Sequence, residues 1–289
     1  MRVRTVWVAV LVAGAASAGP NEDVTALVRR NLDGITKRCH QPIDCAIDAK
    51  TKAFAPLGLE WSWKQEDAVF WSDILFPGFD GAVQLAPKAG IVSADGNVAW
   101  FQIPYTAITT PAPAPQDVGQ MPMRTGGIAL KQSDGWHLAA IGYTGLISDH
   151  ELFTQRPHPD WFDAKDFTTV DVKGDDKLAR EVVASWFSTG FAAHAGPTDR
   201  LIVSGSSEPE HARGAAALSL VKRWDKLGIR PWQIDAERIG DGKLAFVAAT
   251  VLLPIKGPSH SAPLVLFAVL VQEGDGWRWV SLQYGATDR

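Results

Sequence analysis

The chain is short of several things, and each shortage removes a class of function. It has only two cysteines, Cys39 and Cys45; zinc would need two more ligands than this pair, and His40 alone does not complete a site. Their spacing is also wider than the Cys-x-x-Cys of a redox pair, so a disulfide closing a small loop around His40-Gln41-Pro42 is the expectation in an oxidising compartment. Basic residues are not concentrated, since 28 Lys and Arg are interspersed with 32 Asp and Glu for a formal net charge of −4. Nucleic acid as a partner is excluded with them, because phosphate binding needs a dense cationic face. No His-Glu-x-x-His, Gly-x-Ser-x-Gly, Gly-x-Gly-x-x-Gly or phosphate loop occurs, which removes the common zinc, serine-nucleophile and nucleotide chemistries. No metal and no cofactor is therefore expected.

No segment approaches the roughly 20 apolar residues of a membrane-spanning helix. The nearest is the N-terminal stretch, which has the three parts of a secretory signal instead: Arg2 and Arg4, the apolar run Val6 to Ala15, and the small residues Ala16-Ser17-Ala18. Residues 1–18 are thus expected to be a signal peptide, and the mature chain to be exported, periplasmic or extracellular, without an integral membrane segment.

What is present is one module written twice. Asp95-Gly96-Asn97-Val98-Ala99-Trp100-Phe101 returns as Asp241-Gly242-Lys243-Leu244-Ala245-Phe246-Val247, and Ser133-Asp134-Gly135-Trp136 returns as Gly274-Asp275-Gly276-Trp277. Tyr143 corresponds to Tyr284 and Pro122 to Pro263. The first motif repeats after 241 − 95 = 146 residues and the second after 275 − 134 = 141, a difference that a longer loop at Pro111–Pro115 accounts for. The expected organisation is a first domain at 19–148, a connector at 149–174 and a second domain at 175–289.

Each copy begins with helical periodicity. Val24, Leu27, Val28, Leu32 and Ile35 recur at helical spacing after a cap expected from Asn21-Glu22-Asp23, and Leu178, Val182, Val183, Trp186, Phe187 and Phe191 do so after Asp175-Asp176. A further helix is expected from Arg213 to Leu227, ending at Gly228. The later part of each copy reads as strand. Ala99, Phe101, Ile103 and Tyr105 alternate with Trp100, Gln102 and Thr106, while Leu244 to Leu253 is apolar on both faces. Asp-Gly turns then form hairpins ahead of the closing strands Trp136–Tyr143 and Trp277–Tyr284. Helices first and antiparallel strands after give an α+β fold, with helices on one face of a sheet.

This order, with its Asp-Gly-x-x-Ala-aromatic strand, its Asp-Gly-Trp hairpin and the segment Ile202–Glu208 leading to Gly214, resembles the nuclear transport factor 2-like superfamily and its SnoaL-like branch. The resemblance implies two tandem cone-shaped domains, each with helices packed on a strongly bent antiparallel sheet, as in ketosteroid isomerase. It also implies a pocket at each open end, and allows the two domains to pack together as a pseudo-dimer through their sheets. Enzymatic members of that superfamily use a pocket carboxylate as base, opposed by a tyrosine.

The residues offered for ligand binding are Trp61, Trp63, Trp100, Tyr143, Trp186, His194, Trp224 and Tyr284. They are aromatic or polar-tipped side chains that suit the wall of an apolar pocket. Asp95, Asp134, Asp241 and Asp275 all fall in turns, where Asp bonds locally. The polar residues of the second copy are Asp199, Glu208, Glu210, His194 and His211, and a Ser206, His211 and Asp199 trio carries no triad signature. No catalytic residue is assigned. The expected function is that of an exported non-catalytic protein binding a small apolar ligand or an unknown protein partner. Two alternatives stand beside it: a lyase or isomerase using a carboxylate in the second domain, and a structural or interaction protein whose pockets are filled.

Overall fold

The structure is a computed structural model, and it describes residues 19–37, 39, 45–47, 51–54, 62–63, 81–111, 118–147, 169–255 and 261–286. Among these, helices pack on one large, strongly curled and unclosed sheet. The first copy comprises α1 (Pro20–Thr36), the short strands β1 (Lys52–Phe54) and β2 (Ser62–Trp63), then β3 (Gly81–Pro87), β4 (Ile91–Asp95), β5 (Val98–Pro111), β6 (Gly119–Gln132) and β7 (Gly135–Gly145). Strand β8 (Asp171–Gly174) leads into α2 (Asp176–Thr189), β9 (Ile202–Ser204), β10 (His211–Arg213) and α3 (Gly214–Trp224). The chain then runs through β11 (Arg230–Ile239), β12 (Leu244–Pro254), β13 (Ser261–Glu273) and β14 (Gly276–Ala286).

The main strand order is β3-β5-β6-β7-β14-β13-β12-β11-β8. The repeated Asp-Gly motifs occupy equivalent places: Gly96 and Gly242 turn the chain into β5 and β12, and the Asp134-Gly135 and Asp275-Gly276 turns close the β6–β7 and β13–β14 hairpins. Both hairpins break register once, between Ile128 and Ala129 and between Val269 and Leu270. Such irregularities bend a strand and help a sheet to curl.

Several local expectations are corrected. Helix α1 starts at Pro20 with Gly19 at its N-cap and no side-chain cap, so Asn21 is already inside it; Pro is pre-organised for the first helical position and lacks only an N–H the helix would not use. The third helix starts at Gly214, because His211–Arg213 pairs antiparallel with β9, although its end is as expected, with Gly228 in the left-handed conformation at φ 67°. Asp171–Gly174, placed by sequence in the connector, pairs in parallel with β11. The sheet is also not purely antiparallel, for it includes parallel pairings at β1–β7, β8–β11 and β9–β14.

Three apolar cores follow from which side of each strand faces what. In the first copy, Val24, Val28, Leu32 and Ile35 of α1 meet the Ala99, Phe101, Ile103 and Tyr105 face of β5. In the second, Leu178, Val182 and Trp186 of α2 and Val221 and Trp224 of α3 meet Ala245, Val247 and Val251 of β12. The third lies between the copies: Trp100, Ile128 and Ala140 pack with Phe246, Phe267 and Val280, the rings of Phe246 and Phe267 stacking at 5.7 Å. Full burial of a large apolar side chain stabilises by about 1.5–3 kcal/mol, so this seam ties the copies together as a core would.

Two contacts let the seam close. The sheet passes from one copy to the other where Gly145 pairs with Ala286. Gly142 lies against Phe267 so closely that a Cβ there would be 2.5 Å from the ring, so only glycine fits.

Candidate functional site

Four of the eight sequence-selected residues come together inside the second copy. The N-cap Asp175 accepts the Leu178 N–H at 3.0 Å and sets α2, whose inward row delivers Trp186. The helix stops at Gly190, φ 91°, and Phe191 then turns inward. Asp225, just past α3, fixes that turn by accepting the Phe191 and Ala192 N–H groups at 2.7 and 3.1 Å, while the Trp279 indole donates to the Phe191 carbonyl at 2.6 Å.

Around Phe191 the aromatic rings meet edge to face, the geometry their quadrupoles prefer. Trp186 lies at 6.0 Å and Tyr284 at 6.3 Å, with Trp224 against Tyr284 at 4.5 Å and 83°. His194 stacks on Trp186 at 6.4 Å and shares a hydrogen bond with Thr189 at 2.8 Å. Partial burial and the neighbouring Arg278 lower its pKa. Trp186, Phe191, Trp224 and Tyr284 therefore pack against one another between the helices and the closing strand. The Tyr284 hydroxyl is buried and has no hydrogen-bond partner among the described residues; burial, with the Asp225 charge nearby, raises its pKa well above the ordinary value.

The other selected residues lie elsewhere. Tyr143 closes the first copy, where its hydroxyl donates to Asn31 Oδ1, and the Asn31 amide donates to the Cys45 carbonyl at 2.7 Å. Cys39 and Cys45 are joined in a disulfide. Trp100 is in the seam, its indole donating to the Arg200 carbonyl at 3.0 Å. Trp61 lies outside the described residues; Trp63 is in β2, paired with Ala53, and its side chain is not described.

The seam also holds a buried polar network that sequence reasoning missed. Arg124, 1% exposed, donates to the carbonyl of Gly205 at 2.6 Å and reaches those of Ser207 and Glu208 at 3.4 Å. Burial pulls its pKa down to about 10, against the opposing pull of Glu210 and Glu208. Gln102 donates to Ser281 Oγ and the Leu282 carbonyl, both at 2.8 Å, and accepts from Ser204. Ser204 also bonds His211 Nδ1 at 2.6 Å, so His211 pairs with Ser204 and not with Ser206. Burial, then the charges of Arg124 and Arg213, hold His211 at a pKa of about 4. The Ser204 hydroxyl is fully buried, which leaves it no route to a substrate. The available signal was Gln102, a polar residue between Phe101 and Ile103 in the apolar first half of β5.

At the hairpin end of the seam, turns of the two copies face one another. A groove of about 450 Å³ opens there between the turns of both copies, floored by Val98, Leu130, Ile239 and Leu244 and rimmed by Lys131 and Arg238. His137 lines it and pairs with Asp134 at 2.8 Å. Among the described residues no group of three or more His, Cys, Asp and Glu could hold a metal ion, and no helix is long and apolar enough to cross a membrane.

No family model and no curated protein matches this chain. Solved structures do. A nuclear transport factor 2-like superfamily protein from Salmonella enterica is 17% identical, over 45% of this chain and 92% of its own, at a TM-score of 0.36. A ketosteroid isomerase-like protein from Erwinia carotovora is 12% identical over 45% and 98%, at 0.35. A cystatin-like-fold protein of unknown function from Nostoc punctiforme is 10% identical over 46% and 95%, at 0.38. Each match spans just under half of this chain and nearly all of the solved protein.

Proposed function

We propose that this is an exported, non-catalytic binding protein of two SnoaL-like domains, 19–148 and 175–289, packed as a pseudo-dimer, which takes a small apolar ligand at the seam between them. The observation that carries the reading is the distribution of space. The second cone is packed with Trp186, Phe191, Trp224 and Tyr284, whereas an open groove of about 450 Å³ with an apolar floor lies between the copies. That volume falls in the range of small-molecule sites. The leader-like residues 1–18 and the Cys39–Cys45 disulfide support export.

A lyase or isomerase would need a cone carboxylate free to take a proton. Asp225 stands near Tyr284, but its two oxygens are committed to the Phe191 and Ala192 amides. Geometry thus favours binding over proton abstraction.

Native mass spectrometry of protein purified from an exporting host tests the reading. The expected spectrum carries a non-covalent small-molecule adduct that is lost in Val98→Trp, which fills the groove wall. Repeated preparations without adduct, together with no thermal shift across a panel of hydrophobic ligands, would overturn it.

A further inference from the structure

We infer that the seam groove selects an amphipathic monoanion, an apolar body carrying one carboxylate or comparable head group, with Lys131 as the head-group contact. The inference rests on the reading of the seam as the ligand site and adds the chemistry of what fills it.

The floor gives the apolar half of the argument. Ile239 and Leu244 belong to the inter-copy core, and Val98 and Leu130 pack against it. A hydrocarbon body laid in the groove would extend that core outward and cover surface that otherwise faces water, which is favourable in proportion to the apolar area covered.

The rim gives the charged half. Arg238 already pairs with Asp175 at 2.5 Å and lies over the Trp277 ring at 5.3 Å. His137 is engaged by Asp134. Lys131 differs from both: its ammonium lies 6.0 Å from the Trp136 ring and has no carboxylate partner among the described residues. A cation held over an aromatic face beside an apolar floor is ready for an anion whose tail lies on that floor. Asp241, also on the rim, accepts the Lys243 N–H at 3.1 Å and has no cationic partner among the described residues. Its charge opposes a second negative group, so one anionic head is favoured over two.

The test is calorimetric titration at pH 8 with dodecanoate, dodecanol and dodecyltrimethylammonium, each below its aggregation threshold. Dodecanoate is expected to bind most tightly. Lys131→Gln, a substitution on the exposed rim, should weaken dodecanoate about tenfold, the size of one charge-assisted contact, and leave dodecanol unchanged. Val98→Trp should weaken both. Equal affinity for dodecanoate and dodecanol, or no response of dodecanoate to Lys131→Gln, would overturn the anion selectivity while leaving a seam site that Val98→Trp still blocks. Binding of none of the three would overturn the seam site itself.

Discussion

Tyr143 and Tyr284 end equivalent strands, yet the first donates its hydroxyl to Asn31 while the second buries its hydroxyl among rings with no partner among the described residues. The difference extends to how each copy holds its helices. In the first, one amide joins α1 to the closing strand and, through the Cys45 carbonyl, to the disulfide loop. In the second, Trp186, Phe191, Trp224 and Tyr284 do the same work by mass and edge-to-face contact. A polar tie is directional and costly to break halfway; an aromatic cluster is costly to empty. One scaffold has therefore been stabilised by two different physical means.

The largest effect should come from emptying the aromatic side. Trp224→Ala is expected to cost about 3–5 kcal/mol in urea unfolding, because the cavity beside Tyr284 cannot collapse onto a rigid sheet. A loss below about 1 kcal/mol would mean that the rings are not what holds the second copy.

The tyrosines themselves give the sharper contrast. Tyr143→Phe orphans the buried Asn31 oxygen and should cost about 1–3 kcal/mol. Tyr284→Phe removes a hydroxyl with no partner among the described residues, and should be neutral or slightly stabilising. Equal losses in the two variants would show that the copies close in the same way.

The smallest effect is a pH dependence. His211 has a folded pKa of about 4 against an ordinary 6.5. Between these values the unfolded chain takes up a proton that the folded chain refuses, so its contribution to stability is present above pH 6.5 and is lost as pH falls toward 4. His194, also lowered, acts in the same direction. His211→Gln should flatten the fall of the urea midpoint between pH 6.5 and 5, above the range where the lowered carboxylates titrate. An unchanged slope would remove His211 as its source.

Much of this was legible in the chain because each strand states its own period. Ala99, Phe101, Ile103 and Tyr105 fall on the inner face of the first copy as their alternation requires, and the two-sided apolar run of β12 is buried on both sides. What alternation cannot state is what covers the other face. Gln102 and Arg124 are polar residues that read as solvent-facing, yet both are buried, because their partners are carbonyls and hydroxyls roughly 80 to 180 positions away. Strand β11 escaped for a local reason: Trp232, Ile234 and Ala236 are buried at period two, but Pro231 and the charged residues beside them mask the pattern. The convergence of Trp186, His194, Trp224 and Tyr284 was accessible only as a set of residue types, since their spacing depends on the curl of the sheet.

The position of β14 bears on how the molecule can be made. It follows every other described strand in the chain, yet lies between β7 and β13 in the sheet and supplies Ser281, Leu282 and Gln283 to the network that receives Gln102 and Arg124. A chain made from its N-terminus delivers the first copy before the surface that covers it. Trp100, Ile128 and Ala140 are then an uncovered apolar face until the last hairpin arrives. During that interval the incomplete chain is adhesive, so its escape from aggregation depends on how quickly the remainder follows.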